Sequence, residues 1–274
     1  MRTTILAKLD ELSSDENLII LYACESGSRG WEFASADSDY DIRFIYLRRP
    51  ETYLAIHPVR DVIELPITDE LDIVGWDFRK TLQLFQRSNP RLLEWMSSPI
   101  VYVETHDVIT RLWRLVPDYF SPFTCATHYY RAACHYFPLA IVNERMHVKK
   151  IFYALRTLLA VNWLEKTNTP LPMSIWTSTD RVVTSAALRQ AIEELYLAKQ
   201  HMSEQAKIPI IPALQEYCAH DITRLAPIVP ALEQCMGEDG PLNELFRDAF
   251  YQRMKYDSSH SGSLSAIPRR APNA

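Results

Sequence analysis

The chain has 274 residues, 47% of them hydrophobic and 23% charged, with a formal net charge of −5. That length can bury one large core or two modest ones, and the composition is that of an ordinary globular protein. The acidic balance excludes indiscriminate coating of nucleic acid, which needs a basic surface, but leaves room for a local basic groove.

Cys24, Cys125, Cys134, Cys218 and Cys235 are scattered, with no C-x-x-C pair and no His-Cys cluster. They read as free thiols in a reducing compartment rather than as zinc ligands. In "MRTTILAKLDELSSDEN" charges break every apolar run, so the segment is no signal peptide. No apolar run approaches the roughly 20 residues that a membrane helix requires. The expected setting is the cytoplasm, without a membrane partner.

In chain order, "ILAKLDEL" has helical periodicity and "NLIILYAC" is a short apolar run of β-formers. "DYDIRFIYL" alternates with period two, and "VRDVIELPI" and "LDIVGW" read as two further strands. "DFRKTLQLFQRSNPRLLEWM" returns to helix, with Asp77 placed as an N-cap and Asn89-Pro90 as the break before a second helix. From Ser121 onward strand signals nearly vanish. "SPFTCATHYYRAACHYFPLAIV", "NERMHVKKIFYALRTLLAVNWLEK", "SAALRQAIEELYLAKQ" and "PALQEYCAHDITRLA" all favour helix, with proline-containing joints at "NTPLP" and "IPIIP". The sequence therefore predicts an α+β half over 1–120, a helical half over 121–256, and a polar, mobile tail over 257–274.

The segment "ESGSRGWEFASADSDYDIRFIYL" carries the functional signal. In a strand, Asp37, Asp39, Asp41 and Arg43 share one face, while Tyr40, Ile42 and Phe44 point into the core. Two converging carboxylates cost several kcal/mol per buried ion unless compensated, and a divalent cation is a natural compensation. An exposed strand end with solvated acids is the competing reading. "DSDYD" begins like a calcium loop, but Ile42 stands where that loop needs glycine and Arg48 where it needs glutamate. "SGSRG" is near a serine-nucleophile elbow, but Ser26 replaces its first glycine. A phosphate-binding P-loop fails because no lysine follows Gly30.

What remains is a hydrophobic strand ending at Cys24, then Gly27-Ser28, a spacer, and Asp39-Tyr40-Asp41-Ile42. This resembles the DNA polymerase β-like nucleotidyltransferase superfamily. The wider run "GSRGW…SDYDIRFIY…GWDFRK…SNP…EW…SSP" is similar to the bacterial RNA-repair-associated nucleotidyltransferases of the YcgL type. The resemblance implies a small mixed sheet with flanking helices, followed by a helical domain. It also implies transfer of a nucleotidyl group from an NTP, expected to be ATP, by two Mg²⁺ or Mn²⁺ ions held on carboxylates. Asp39 and Asp41 are the implied metal ligands, and Gly27 and Ser28 would meet the terminal phosphates, helped by the short helix that follows.

The superfamily brings a third carboxylate from a neighbouring strand. Asp72 is the first choice, at the start of a strand-like run. Asp77 is second, its simpler role being a cap. Asp37 and Glu64 rank below. In the helical half Arg145, Lys149, Tyr153 and Arg156 fall at helical spacing and form one polar stripe. Lys149, Tyr153 and Arg156 are candidates for the triphosphate and base, against a plain solvated face. His128, Tyr129, Tyr130 and Arg131 form another aromatic-basic group that could stack a base or simply pack. The resemblance implies an RNA end as acceptor. A small molecule, a protein hydroxyl, and a catalytically silent nucleotide- or RNA-binding module stay open.

Overall fold

The computed structural model describes residues 1–35, 38–67, 70–202 and 206–260, and of residues 255–260 the backbone alone. Asp37 and residues 261–274 lie outside the described residues. Amphipathic helix α1 (Arg2–Asp15) leads into β1 (Ile19–Glu25), whose residues after Ile19 are all buried. A one-turn helix α2 (Gly27–Gly30) and a loop follow, then β2 (Tyr40–Leu47), α3 (Pro50–Tyr53), β3 (Val62–Glu64) and β4 (Leu71–Asp77). Helices α4 (Phe78–Gln86) and α5 (Pro90–Met96) precede β5 (Val101–Glu104) and α6 (Val108–Tyr119).

The five strands form one mixed sheet in the order β3-β4-β2-β1-β5. Strand β1 runs antiparallel to both β2 and β5, β3 is antiparallel to β4, and β2 and β4 are parallel. The alternation read from the sequence sets the faces. Ile42, Phe44 and Tyr46 are buried with Ile5, Leu9 and Leu12 of α1, whereas Ile45 and Leu47 join Trp95 and Leu93 on the opposite, helix-covered face. Asp41 and Arg43 therefore point toward the helical half.

That half comprises α7 (Pro122–Ala140), β6 (Ile141–Val142), β7 (Arg145–His147) and α8 (Val148–Thr167). They continue into α9 (Ile175–Val182), α10 (Ala186–His201), β8 (Lys207–Pro209), α11 (Pro212–Leu225) and α12 (Asp239–His260). Helix α8 is apolar on nearly every side and buried along its length, as an all-round hydrophobic helix must be. One large core cluster runs from Leu21, Ile45 and Trp95 of the sheet layer to Phe152, Leu155 and Leu214 of the helical half.

Four sequence expectations need correction. The second half is not free of strands, because β6, β7 and β8 form a three-stranded sheet. The segment beginning at Asn143 starts as a hairpin: Val142 pairs with Arg145, and Asn143 and Glu144 both hold positive φ, as a two-residue primed turn requires. The helix begins only at Val148, so Arg145 sits on β7 and leaves the stripe with Lys149, Tyr153 and Arg156. Finally, α12 continues to His260, into the stretch expected to be tail. Asp77 caps α4 as expected, accepting from the Arg79 amide, and the break expected at Asn89-Pro90 separates α4 from α5, with Asn89 also capping α5 by accepting from the Leu92 amide. All five cysteines are free thiols. Among the described residues no helix is long and apolar enough to cross a membrane.

Candidate active site

The Gly27-Ser28 turn begins where β1 ends. Gly27 holds φ +55, a conformation natural to glycine, and a Cβ added there would lie 1.8 Å from Asp41 Oδ2. The glycine is thus required twice, for the turn and for the approach of the Asp41 carboxylate to the backbone. The Ser26 amide donates to the Asp41 carbonyl at 2.8 Å, which ties the turn to β2.

Asp41 lies beside Asp72 in the parallel register of β2 and β4. The Arg43 guanidinium bridges the two: one nitrogen donates to Asp41 Oδ1 and to Asp72 Oδ2, each at 2.7 Å. Its other terminal nitrogen donates to the Ile42 and Asp72 carbonyls. Burial pushes the Asp41 carboxyl above the usual carboxylate range; Arg43 opposes this, and the charges of Asp72 and Asp39 add to it. Asp39 precedes β2, and its backbone is pinned by Arg29, which donates to the Ser38 and Asp39 carbonyls and stacks on the Tyr40 ring at 3.8 Å.

Sequence reasoning missed Glu25. It is fully buried at the end of β1, accepting from the Asp41 amide at 2.8 Å and from the Tyr102 hydroxyl at 2.5 Å. Burial raises its pKa, and those two hydrogen bonds oppose the rise. A glutamate closing an apolar run was the available signal, because such a position needs a partner.

Asp77 stands at the other end of β4. It is 5% exposed, accepts from the Arg79 amide as the α4 cap and takes a hydrogen bond from the Tyr53 hydroxyl. Glu64 on β3 is exposed and pairs with Arg60. Of the carboxylates considered, Asp72 alone among the described residues shares a side-chain partner with Asp41.

Arg156 is 5% exposed. It forms an ion pair with Glu94 at 2.8 Å and lies 3.8 Å over the ring of Trp31, just past the Gly-Ser turn. Glu94 also accepts from the Tyr129 hydroxyl at 2.6 Å. Tyr153 stacks on Tyr136 and meets Trp31 edge-on, while Lys149 is half-buried one turn earlier on α8. Arg156 thus reaches the turn through Trp31. Ser28 has its carbonyl bonded to the Phe33 amide, which closes the loop after the turn.

The donor chemistry fits a hard divalent cation. Two carboxylates already converge on one cationic group, and the bare Gly27 leaves Asp41 Oδ2 uncovered by any side chain at that position. Among the described residues no three His, Cys, Asp or Glu side chains are gathered into a ready-formed ligand set. Asp41 and Asp72 are the residues that could hold such a cation, with Arg43 as their present counter-charge.

The fold is a mixed α+β polymerase β-like nucleotidyltransferase sheet followed by a helical region. The chain belongs to the RNA repair pathway DNA polymerase beta family, whose model matches residues 1–248. Nucleotidyl transfer is the coarse activity this membership supports. The chain is 39% identical over 225 residues to the uncharacterized protein YcgL of Bacillus subtilis (strain 168), covering 82% of this chain and 86% of that protein. A solved nucleotidyltransferase-like protein from Exiguobacterium sibiricum 255-15 is 11% identical, with 91% of this chain and 80% of that one covered, at a TM-score of 0.30.

Proposed function

We propose that this chain transfers a nucleotidyl group from an NTP to the hydroxyl of an RNA end, with Mg²⁺ or Mn²⁺ as cofactor. The observation that carries the reading is the pairing of Asp41 with Asp72 on adjacent parallel strands, against a glycine turn that would clash with any side chain. Asp41 and Asp72 would hold the cation, with Asp39 closing in from the loop before β2. Bound there, the cation would stabilise the charge on the attacking and leaving oxygens.

The acceptor oxygen forms a bond to the α-phosphorus as the bond from that phosphorus to the pyrophosphate oxygen breaks. Pyrophosphate leaves, and the acceptor proton passes to solvent. The Gly27 and Ser28 backbone, with the Ser28 hydroxyl, would grip the departing phosphates. Glu25 fixes the Asp41 backbone from beneath, and Arg43 keeps the two carboxylates apposed before the cation arrives. Lys149 and Tyr153 would serve the nucleotide from α8, whereas the buried Arg156 would support the turn through Trp31.

The test is incubation with each α-labelled NTP, magnesium or manganese, and a short RNA bearing a free 3′ hydroxyl. Label should move onto the RNA and disappear with Asp41→Asn or Asp72→Asn, both still folded. Label transfer at the wild-type rate in either variant refutes the assignment.

A further inference from the structure

Away from the paired carboxylates, three hollows follow one another along α4. The first, of about 250 Å³, lies at the opposite end of β2 and β4 from Asp41, and its lining sets Arg48, Arg60, Arg79 and Lys80 against Asp61 and Asp77. The second, of about 510 Å³, lies between α4 and α12, shares Arg79 and Gln83 with the first, and has Asp239 as its one acidic lining residue among those described. The third, of about 600 Å³, lies against α7 and shares Arg87 with the second. Arg79, Gln83 and Arg87 are all exposed at four-residue steps, so they form one stripe spanning about 12 Å of helix. From α7, Thr124, Thr127, His128 and Arg131 face the third hollow at helical spacing.

Arg48, Arg60 and Lys80 are paired with Glu16, Glu64 and Asp61. Among the described residues, however, no carboxylate is ion-paired with Arg79, Arg87 or Arg131. In a chain of net charge −5, the third hollow, lined by Arg87 and Arg131 and, among the described residues, by no carboxylate, is locally basic, and Arg79 extends that stripe although Asp77 and Asp239 stand near it. Aromatic rings accompany them. The Arg79 guanidinium lies 4.8 Å from the Tyr53 ring and 5.6 Å from that of Phe246, and Phe123 and His128 line the third hollow. Guanidinium forks match phosphate oxygens, and ring faces accept any base. Ring faces stack only on bases that are not enclosed in a duplex, which favours a single strand.

We infer that this path along α4 binds the sugar–phosphate backbone of a single-stranded nucleic acid, with Arg79, Arg87 and Arg131 as its phosphate contacts. It deepens the transferase reading by giving the acceptor strand a place to lie outside the carboxylate site. The functional reading supplies the partner class, and the path supplies the residues.

The experiment measures the anisotropy of a fluorescein-labelled 12-nucleotide RNA, and of its DNA counterpart, with the full chain in EDTA across a salt series. Arg79→Ala, Arg87→Ala and Arg131→Ala should each weaken binding about tenfold. The triple variant should flatten the log–log salt dependence by about 2, at roughly 0.7 for each single-strand phosphate contact. Arg189→Ala, on α10 and paired with Asp180, should change neither. Because the substituted residues are exposed, circular dichroism should show the variants folded. Equal affinity and slope in the triple variant overturns the inference, as does displacement of the RNA by polyglutamate at the same charge concentration. Weakened binding of both RNA and DNA supports a backbone contact, and weakened binding of RNA alone adds recognition of the 2′ hydroxyl. No NTP or metal is present, so absence of label transfer in the wild type with these binding losses intact sinks the transferase reading and not the path.

Discussion

Gly27→Ala places a methyl carbon where Asp41 Oδ2 now stands. To move from 1.8 Å back to a 3.0 Å contact, the carboxylate must retreat by about 1.2 Å, or the turn must open by as much. Two costs follow. Holding a non-glycine residue at φ +55 costs about 1–2 kcal/mol, and overpacking against Asp41 costs roughly 1–3 kcal/mol. The expected total is about 2–5 kcal/mol, measured from urea or thermal unfolding. The carboxylate displacement should also lower label transfer about a hundredfold, the usual consequence of misplacing a reacting group by 1 Å. A double-mutant cycle separates the terms. In an Asp41→Ala background the obstructing oxygen is gone, so Gly27→Ala should cost only the backbone part, about 1–2 kcal/mol. The same cost in both backgrounds would refute the close approach on which this account of the turn depends.

Asp41→Asn should gain stability over wild type as pH rises from the ordinary aspartate value of 3.8 upward. The raised folded pKa means the native wild type holds the extra proton in that window and loses stability as it is released; the amide has none to release. Urea midpoints at several pH values check this, and a pH-independent difference would contradict it. Arg43→Met should lower the thermal midpoint without metal, leaving Asp41 and Asp72 uncompensated, and should enlarge the upward shift caused by Mn²⁺. A smaller shift would make Arg43 part of the cation site rather than its stand-in. Glu94→Ala should cost about 3–5 kcal/mol in unfolding free energy, since it strands Arg156 in a buried setting. Asp77→Asn should cost under about 1 kcal/mol because asparagine caps a helix nearly as well, while leaving label transfer unchanged. A large transfer loss there would move the third carboxylate to the other end of β4.

The paired-carboxylate strand was readable because period-two alternation is a direct consequence of strand geometry. Ile42, Phe44 and Tyr46 announced their face, and Asp41 and Arg43 followed by parity. Asp72 was reachable as the first polar residue of a neighbouring apolar run, though only tertiary pairing puts it in register with Asp41. Strand β5 was not anticipated: it is four residues long, and its place comes from pairing with β1 rather than from its own pattern. The β6–β7 hairpin was hidden because its turn is Asn143-Glu144, and a glutamate at φ +56 lacks the usual Asn-Gly signature. Arg156 read as the buried-looking end of a polar stripe suited to a triphosphate. Only the fold reveals Glu94 and Trp31 on either side of it.

Trp31 carries a consequence for how the molecule responds to force and to partners. Its ring lies under Arg156 of α8, its carbonyl accepts the Ile175 amide at the start of α9, and the next residue, Glu32, takes hydrogen bonds from Ser174 and Trp176. The loop leaving the Gly27-Ser28 turn is therefore moored in the helical half, four and five residues beyond the glycine. The texture change near residue 120 divides the sequence, but the stiffness of the turn is borrowed from across that line. A displacement of α8 or α9 would reach the Gly27 and Ser28 amides before it reached the far edge of the sheet. The helices act as a tuning peg for the turn, and substitution of Ser174 or Trp176 should alter its rigidity without touching Asp41 or Asp72.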